Sequence, residues 1–120
     1  MSQLLVCLPH TPRDLSPNGR THWARKAALT RRCKTMAWAH TMEVLKGRKF
    51  EASRYSVRWY YKGMCPDADN VLARLKSYLD GACAAMGIDD RGLSVGSIDR
   101  VHDLNRAGKV EIVFETGGEQ

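Results

Sequence analysis

Acidic residues flank one predicted helix of this 120-residue chain, and their types are those that bind a hard cation. Asp67 and Asp69 stand at the start of the segment 69–86, and Asp89 and Asp90 follow its end. Mg²⁺ takes a few carboxylates together with waters and substrate oxygens. A bound Mg²⁺ lowers the pKa of its water and clamps phosphate oxygens, as hydrolysis of a phosphodiester requires. If the two acidic groups meet, they indicate a site for metal-dependent hydrolysis of phosphodiesters.

Local structure offers a simpler interpretation of the same residues. Asp and Asn are favoured as N-caps, but Asp67, Asp69 and Asn70 together exceed what one cap requires. A lone pair such as Asp89–Asp90 is more often a solvated turn. The helix between the two groups has roughly 18 residues and a length of about 27 Å. The groups can therefore meet only if the chain folds back along the helix, or if neighbouring strand ends bring them together.

A lysine lies on the same side of this helix as Asp69. Spacings of four, three and four residues form a narrow stripe away from the apolar face, which comprises Asp69, Ala73, Lys76 and Asp80. Lys76 could stabilise the charge that develops on a scissile phosphate. Alternatively, Lys76 is an exposed lysine that pairs with Asp80 at i+4.

Charge is distributed unevenly along the chain, whose net charge is +6. Residues 1–62 hold 13 Lys/Arg and 3 Asp/Glu, whereas residues 63–120 hold 6 Lys/Arg and 10 Asp/Glu. A basic half indicates a polyanionic partner, because neutralising phosphates releases counterions. The alternative is that both halves are ordinary solvated faces. The candidate DNA-binding residues are Arg20, Arg25, Lys26, Arg31 and Arg32.

No zinc, nucleotide-binding or nucleophile motif accompanies these carboxylates. The four cysteines include no CxxC pair, and the four histidines show no HExxH spacing. Neither a glycine-rich phosphate loop nor a serine nucleophile elbow occurs, so no organic cofactor is expected. His40 falls on the apolar stripe of the helix 22–46 and is expected in the core. Without signal-peptide features or an apolar run of about 20 residues, we expect a cytoplasmic protein with no membrane partner.

The pattern of apolar residues predicts a single domain over residues 1–120 with the element order β-α-β-α-β-β. The last two strands flank a turn at 105–108 and are predicted to form a hairpin. The predicted fold is α/β (α+β), a small mixed β-sheet with two main helices packed on one face. The predicted strands and helices are 3–8, 22–46, 54–62, 69–86, 94–104 and 109–115.

Three short motifs resemble the signature of the RusA family of Holliday junction resolvases. The first is Asp67-Ala-Asp69-Asn70, the second Lys76-x-x-x-Asp80-Gly81, and the third Met86-Gly-Ile-Asp-Asp90. The segments 97–101 and 108–113 are similar to the family's closing hairpin. The resemblance is strong over residues 66–115 and weaker before them.

The resemblance implies a crossover junction endodeoxyribonuclease that acts in DNA recombination and repair. Such enzymes are homodimers that use Mg²⁺ or Mn²⁺ to make paired nicks in four-way DNA junctions, and bacteriophages often carry them. It implies that Asp67, Asp69 and Asp90 hold the metal and that Lys76 is the essential lysine. Asp89 matches a secondary acidic position.

Two positions depart from the family pattern. The spacing from Asp69 to Lys76 is about one helical turn longer than in the best-known form, so Ala73 occupies the usual lysine position. Pro66 stands where a basic residue commonly precedes the first aspartate. Two alternatives remain open, a basic DNA-binding protein without catalysis and a metal-dependent nuclease that acts on forks or flaps.

Overall fold

The predicted order β-α-β-α-β-β is confirmed by the computed structural model, which describes residues 2–12, 15, 22–106 and 108–116. A single 3₁₀ turn, Asp90–Gly92, follows the second helix. In the described part of the chain no helix is long and apolar enough to cross a membrane. The strands and helices are β1 (Gln3–Pro9), α1 (Trp23–Leu45), β2 (Ala52–Tyr61), α2 (Ala68–Met86), β3 (Ser94–His102) and β4 (Lys109–Thr116).

The four strands form one mixed sheet in the order β1-β4-β2-β3. Strand β4 pairs antiparallel with both β1 and β2, and β2 pairs parallel with β3. The predicted hairpin of the last two strands is therefore wrong, because β2 lies between them. The burial of each strand explains the order: alternate residues of β4 are fully buried, which suits a central position, whereas most residues of β3 are exposed, which suits an edge.

One face of the sheet carries the core. Val6, Ile112 and Val57 lie side by side across β1, β4 and β2, and each is at most 1% exposed. In β1 and β2 these residues alternate with exposed or half-buried ones, and in β4 they alternate with Glu111, which is 8% exposed, and half-buried Val113. Both helices pack their apolar residues onto the same cluster. The other buried strand residues of this face are Leu4, Leu8, Tyr55, Trp59, Val110 and Phe114.

The two helices cross closely at Gly81. A Cβ atom at this position would lie 2.1 Å from the carbonyl oxygen of Lys34 and 3.0 Å from the Cβ of Ala37. Only a residue without a side chain therefore allows α2 to approach α1 this closely. This contact sets the spacing of the two helices, and hence the width of the cleft described below.

The apolar stripe of α1 differs from the predicted one near its end. Leu29, Cys33 and Ala37 are buried, but His40 is exposed, so its expected place in the core is wrong. The buried residues continue at steps of four to Thr41 and Leu45. A stripe at steps of four drifts around a helix with 3.6 residues per turn, which carries the buried face past His40.

Candidate metal and DNA site

The chain after α2 turns back and brings Asp90 to the side of the helix. Gly87 ends α2 in the left-handed conformation with φ 73°, and the amide of Ile88 donates a hydrogen bond to the carbonyl of Cys83. The carboxylate of Asp90 then shares the ammonium group of Lys76 with Asp80. Since Asp80 lies six residues before the end of α2, the return covers about 9 Å along the helix axis. The chain therefore folds back along the helix, as a meeting of the two acidic groups requires.

Lys76 is a fixed positive charge between two carboxylates. Its ammonium Nζ lies 2.9 Å from Oδ1 of Asp80 and donates a shorter hydrogen bond to Oδ2 of Asp90. These bonds, that to Asp90 first, raise the pKa of Lys76 well above its ordinary value. The side chain remains 60% exposed, so the ion pairs add little to stability but leave the charge accessible to a phosphate. The predicted pairing of Lys76 with Asp80 is confirmed, and Lys76 also contacts Asp90 of the acidic turn.

Asp67 and Asp69 lie exposed at the start of α2. Asp67 occupies the N-cap position, yet its side chain makes no capping hydrogen bond. Neither carboxylate forms a hydrogen bond or ion pair with another residue that the structure describes. Capping therefore does not account for these two side chains, and their oxygens are available to a ligand.

The chain reversal after α2 shortens the distance between the two acidic groups, but the groups do not form a complete metal site. Asp69 precedes Lys76 by seven residues, about 10.5 Å along the helix. Among the described residues, no three His, Cys, Asp or Glu side chains stand close enough together to hold a metal ion. The structure thus joins Asp90 to Lys76 and Asp80, and leaves Asp67 and Asp69 apart from them.

The chemistry of these side chains fits a hard divalent cation. All donors are carboxylate oxygens, which Mg²⁺ and Mn²⁺ prefer. Asp80 and Asp90 both pair with one positive charge, the ammonium group of Lys76. Asp67 and Asp69 keep their oxygens free of other described partners. Asp67, Asp69 and Asp90 are the ligands that the motif resemblance implies, and the structure pairs Asp90 with Lys76 and leaves the other two apart from it.

Asp89 has a different task from Asp90. Its Oδ1 accepts a hydrogen bond from the amide of Arg91 at 2.9 Å, and its Oδ2 accepts one from the Arg91 guanidinium at 2.7 Å. These bonds, that from the guanidinium first, lower the pKa of Asp89. Asp89 therefore caps the 3₁₀ turn that presents Asp90.

A cleft between the two helices opens beside Lys76. It has a volume of about 330 Å³, and α1 contributes Lys26 and Thr30 to its wall. Helix α2 contributes Ala73, Lys76 and Asp80. Ala73 lines the same cleft as Lys76, and Lys26 adds a second positive charge to it.

The candidate DNA-binding residues are spread along the first half of α1. Lys26 is half-buried in the cleft wall, whereas Arg25, Arg31 and Arg32 are exposed. Arg20 lies outside the described residues. Sequence reasoning placed Asp80 on the same stripe as Lys76 and paired the two, but it did not predict that Asp80 lines a cleft with Lys26.

A second cavity, of about 380 Å³, lies beside Pro66, the residue before Asp67. Half-buried His10 contributes to its wall, with its ring 4.9 Å from that of Trp59 in an edge-on contact. Arg74 covers Trp59 with its guanidinium carbon 4.9 Å from the ring centre. Burial lowers the pKa of His10 from 6.5, and the charges of Arg74 and Lys62 lower it further. The imidazole is therefore neutral at neutral pH.

We expect protonation of His10 to destabilise the protein in mild acid. Asp103 and a hydrogen bond with the Tyr60 backbone raise the pKa of His10, but burial, Arg74 and Lys62 outweigh them. Because the folded pKa lies below the unfolded one, the stabilisation is complete above about pH 6.5 and is lost as the pH falls through the folded pKa. Urea unfolding at about pH 7.5 and pH 5 should show a larger loss for the wild type than for His10→Gln. Equal losses would show that His10 does not carry this pH dependence.

The fold is thus of the α+β class, with a mixed four-stranded sheet and two helices that pack against each other. No protein-family model matches the sequence. A protein of Xylella fastidiosa, described as an uncharacterized protein, is 37% identical to this chain. The alignment covers 72% of this chain and 60% of that protein, so the chain spans less than two thirds of the relative's length. The relative's description names no activity.

Proposed function

We propose that this chain is a divalent-metal-dependent endonuclease of the RusA type, which resolves four-way DNA junctions by paired nicks. The observation that carries the proposal is the meeting of Asp90 with Lys76 at the edge of a cleft that a basic helix lines. Cleavage of a phosphodiester needs an acidic turn, a fixed ammonium group and a basic wall at one place. The motif resemblance over residues 66–115 supports the same activity.

Each residue of the site has a distinct role in this proposal. Asp67, Asp69 and Asp90 would hold Mg²⁺ or Mn²⁺, which would supply an activated water and neutralise charge on the phosphate. Lys76 presents its ammonium group to the scissile phosphate, and Asp80 holds that ammonium in the cleft. Lys26 draws the DNA backbone towards the same cleft.

Two active sites are needed for paired nicks, so the proposal includes a homodimer that acts on both strands of one junction. Such a dimer has two-fold symmetry, as most homodimers do. The two-fold symmetry of the protein then matches that of the four-way junction. Recombination and repair are the processes that produce this substrate.

The experiment compares labelled DNA substrates of equal strand length: a four-way junction, a fork, a flap and a linear duplex. With Mg²⁺ we expect nicks in opposing strands of the junction, and little cutting of the linear duplex. Omission of the metal should stop cutting and leave salt-sensitive binding. Preferred cutting of forks or flaps would redirect the proposal to another branched substrate. Binding of junctions without cutting, across Mg²⁺, Mn²⁺ and pH, would refute the nuclease and leave a DNA-binding protein.

A further inference from the structure

The cavity beside Pro66 is separate from the cleft between the helices. The loop after β1, the end of β2, the start of α2 and the β3–β4 connection all contribute to it. Its volume of about 380 Å³ lies in the range of cavities that hold small organic ligands. Because Pro66 precedes Asp67, a ligand in this cavity would lie next to the first of the proposed metal-binding carboxylates. None of the roles assigned above uses this cavity.

The inner wall of the cavity is held rigidly by the fold. Trp59 is 2% exposed and contacts both His10 and Arg74, each 4.9 Å from its ring. The Nη2 group of Arg74 donates a hydrogen bond of 2.8 Å to the carbonyl of Thr11. These contacts fix the loop after β1 against α2, so the cavity is formed before any ligand binds and loses little entropy on binding.

Polar groups and a cation surround this aromatic wall. The hydroxyl of Thr11 is buried and makes no hydrogen bond within the described part of the chain. Asp103 is 7% exposed, and its carboxylate accepts a hydrogen bond from the amide of Gly108. Lys62 is exposed at the rim, where its charge is available to a phosphate.

The rim also offers a surface on which a planar ring can stack. Tyr61 follows Trp59 at the strand spacing of two and is half-buried at the mouth of the cavity. Met64 is 91% exposed, although its side chain is apolar. Aromatic rings and adaptable Met side chains stack on nucleobases of any sequence.

We propose that this cavity binds one unpaired nucleotide of a DNA strand, with the base between Tyr61 and Met64 and its phosphate at Lys62. The inference rests on the proposed function, since it assigns DNA as the ligand. An unpaired nucleotide occurs where a duplex is distorted, and its base costs less to extrude than a paired one. The cavity would then select a distorted site and place the neighbouring phosphate near Asp67.

The test measures binding in EDTA, where no cutting occurs, with a fluorescent duplex that contains one unpaired nucleotide and the same duplex fully paired. We expect the wild type to prefer the unpaired nucleotide by about fivefold or more, the effect of one stacked base. Met64→Ala and Lys62→Gln should each remove most of this preference. Both residues are exposed, so the fold should tolerate the changes. Lys49→Gln, an equally exposed lysine away from the cavity, is the matched control and should retain the preference.

A second measurement identifies what the cavity recognises. Titration with thymidine monophosphate should shift the amide signals of Thr11, Tyr61 and Lys62, whereas inorganic phosphate should shift Lys62 alone or nothing. Equal affinity of the wild type for both duplexes, or a preference that survives Met64→Ala and Lys62→Gln, would overturn the inference. Preference for the unpaired nucleotide without cutting in Mg²⁺ would instead support the cavity and refute the nuclease. Cutting in Mg²⁺ without a preference for the unpaired nucleotide would support the nuclease and refute the proposed role of the cavity.

Discussion

Asp69→Asn and Asp90→Asn should each reduce nicking of a four-way junction by more than about 100-fold, the loss expected for one essential electrostatic group. An amide of the same size removes the negative charge that a divalent cation requires, while it preserves the shape of the side chain. Asp69 is exposed and Asp90 is half-buried at the surface, so neither change disturbs the core. The measurement is the rate of nicked product at saturating Mg²⁺, with folding checked by thermal unfolding.

Asp99→Asn is the matched control for these variants. Asp99 is an exposed aspartate on β3, away from α2, and its replacement should leave the rate within about twofold of the wild type, as expected for a surface position. Asp80→Asn should give an intermediate loss, because Asp80 holds Lys76 and is not assigned to the metal. Full activity of Asp69→Asn or Asp90→Asn would contradict the assigned ligands. A loss in Asp99→Asn equal to theirs would show that the assay reports general charge.

Gly81→Ala should destabilise the fold by about 3 kcal/mol, the upper part of the range for an overpacked core. The added Cβ would lie 2.1 Å from a backbone carbonyl oxygen of Lys34, and backbone cannot turn away as a flexible side chain can. The helices must therefore separate, which also widens the cleft that contains Lys76. Urea unfolding measures the change in the free energy of unfolding.

Gly92→Ala is the control for the glycine substitution. A Cβ at Gly92 would meet no atom within 4 Å, so this variant should unfold within about 1 kcal/mol of the wild type. If Gly81→Ala were as stable as Gly92→Ala, the close crossing of α1 and α2 would be wrong. The crossing at Gly81 would then not set the width of the cleft.

The parts of the fold that depend on local periodicity were predictable from the sequence. Strand β2 alternates and α2 repeats its apolar residues at steps of three and four, and both elements occur close to their predicted positions. The alternation of Val110, Ile112 and Phe114 likewise predicted the buried face of β4. These patterns are set by residues a few positions apart, which a sequence displays directly.

The pairing of the strands was not predictable in this way. A hairpin between β3 and β4 is the local solution, but β4 instead pairs with β1 and β2. That choice depends on how much apolar surface each strand buries against distant partners, such as Val6 opposite Ile112. Local turn residues at 105–108 contain no information about those partners.

The candidate site likewise has one part that the sequence could predict and another that it could not. The residue types and the stripe from Asp69 to Asp80 could be identified from spacing alone. The contact of Asp90 with Lys76 could not, since it depends on the left-handed Gly87 and on a turn that reverses the chain. Nor could the sequence show that the side chain of Asp67, which occupies the N-cap position of α2, would make no capping hydrogen bond.

Paramagnetic Mn²⁺ tests most directly whether Asp67, Asp69 and Asp90 together bind one divalent cation. Added to the uniformly labelled protein, Mn²⁺ should broaden the amide signals of residues 67–70 and 89–91 in parallel and saturably. Asp90→Asn should weaken the broadening of both segments. Broadening confined to one segment, or unchanged at 67–70 in Asp90→Asn, would contradict a shared metal site.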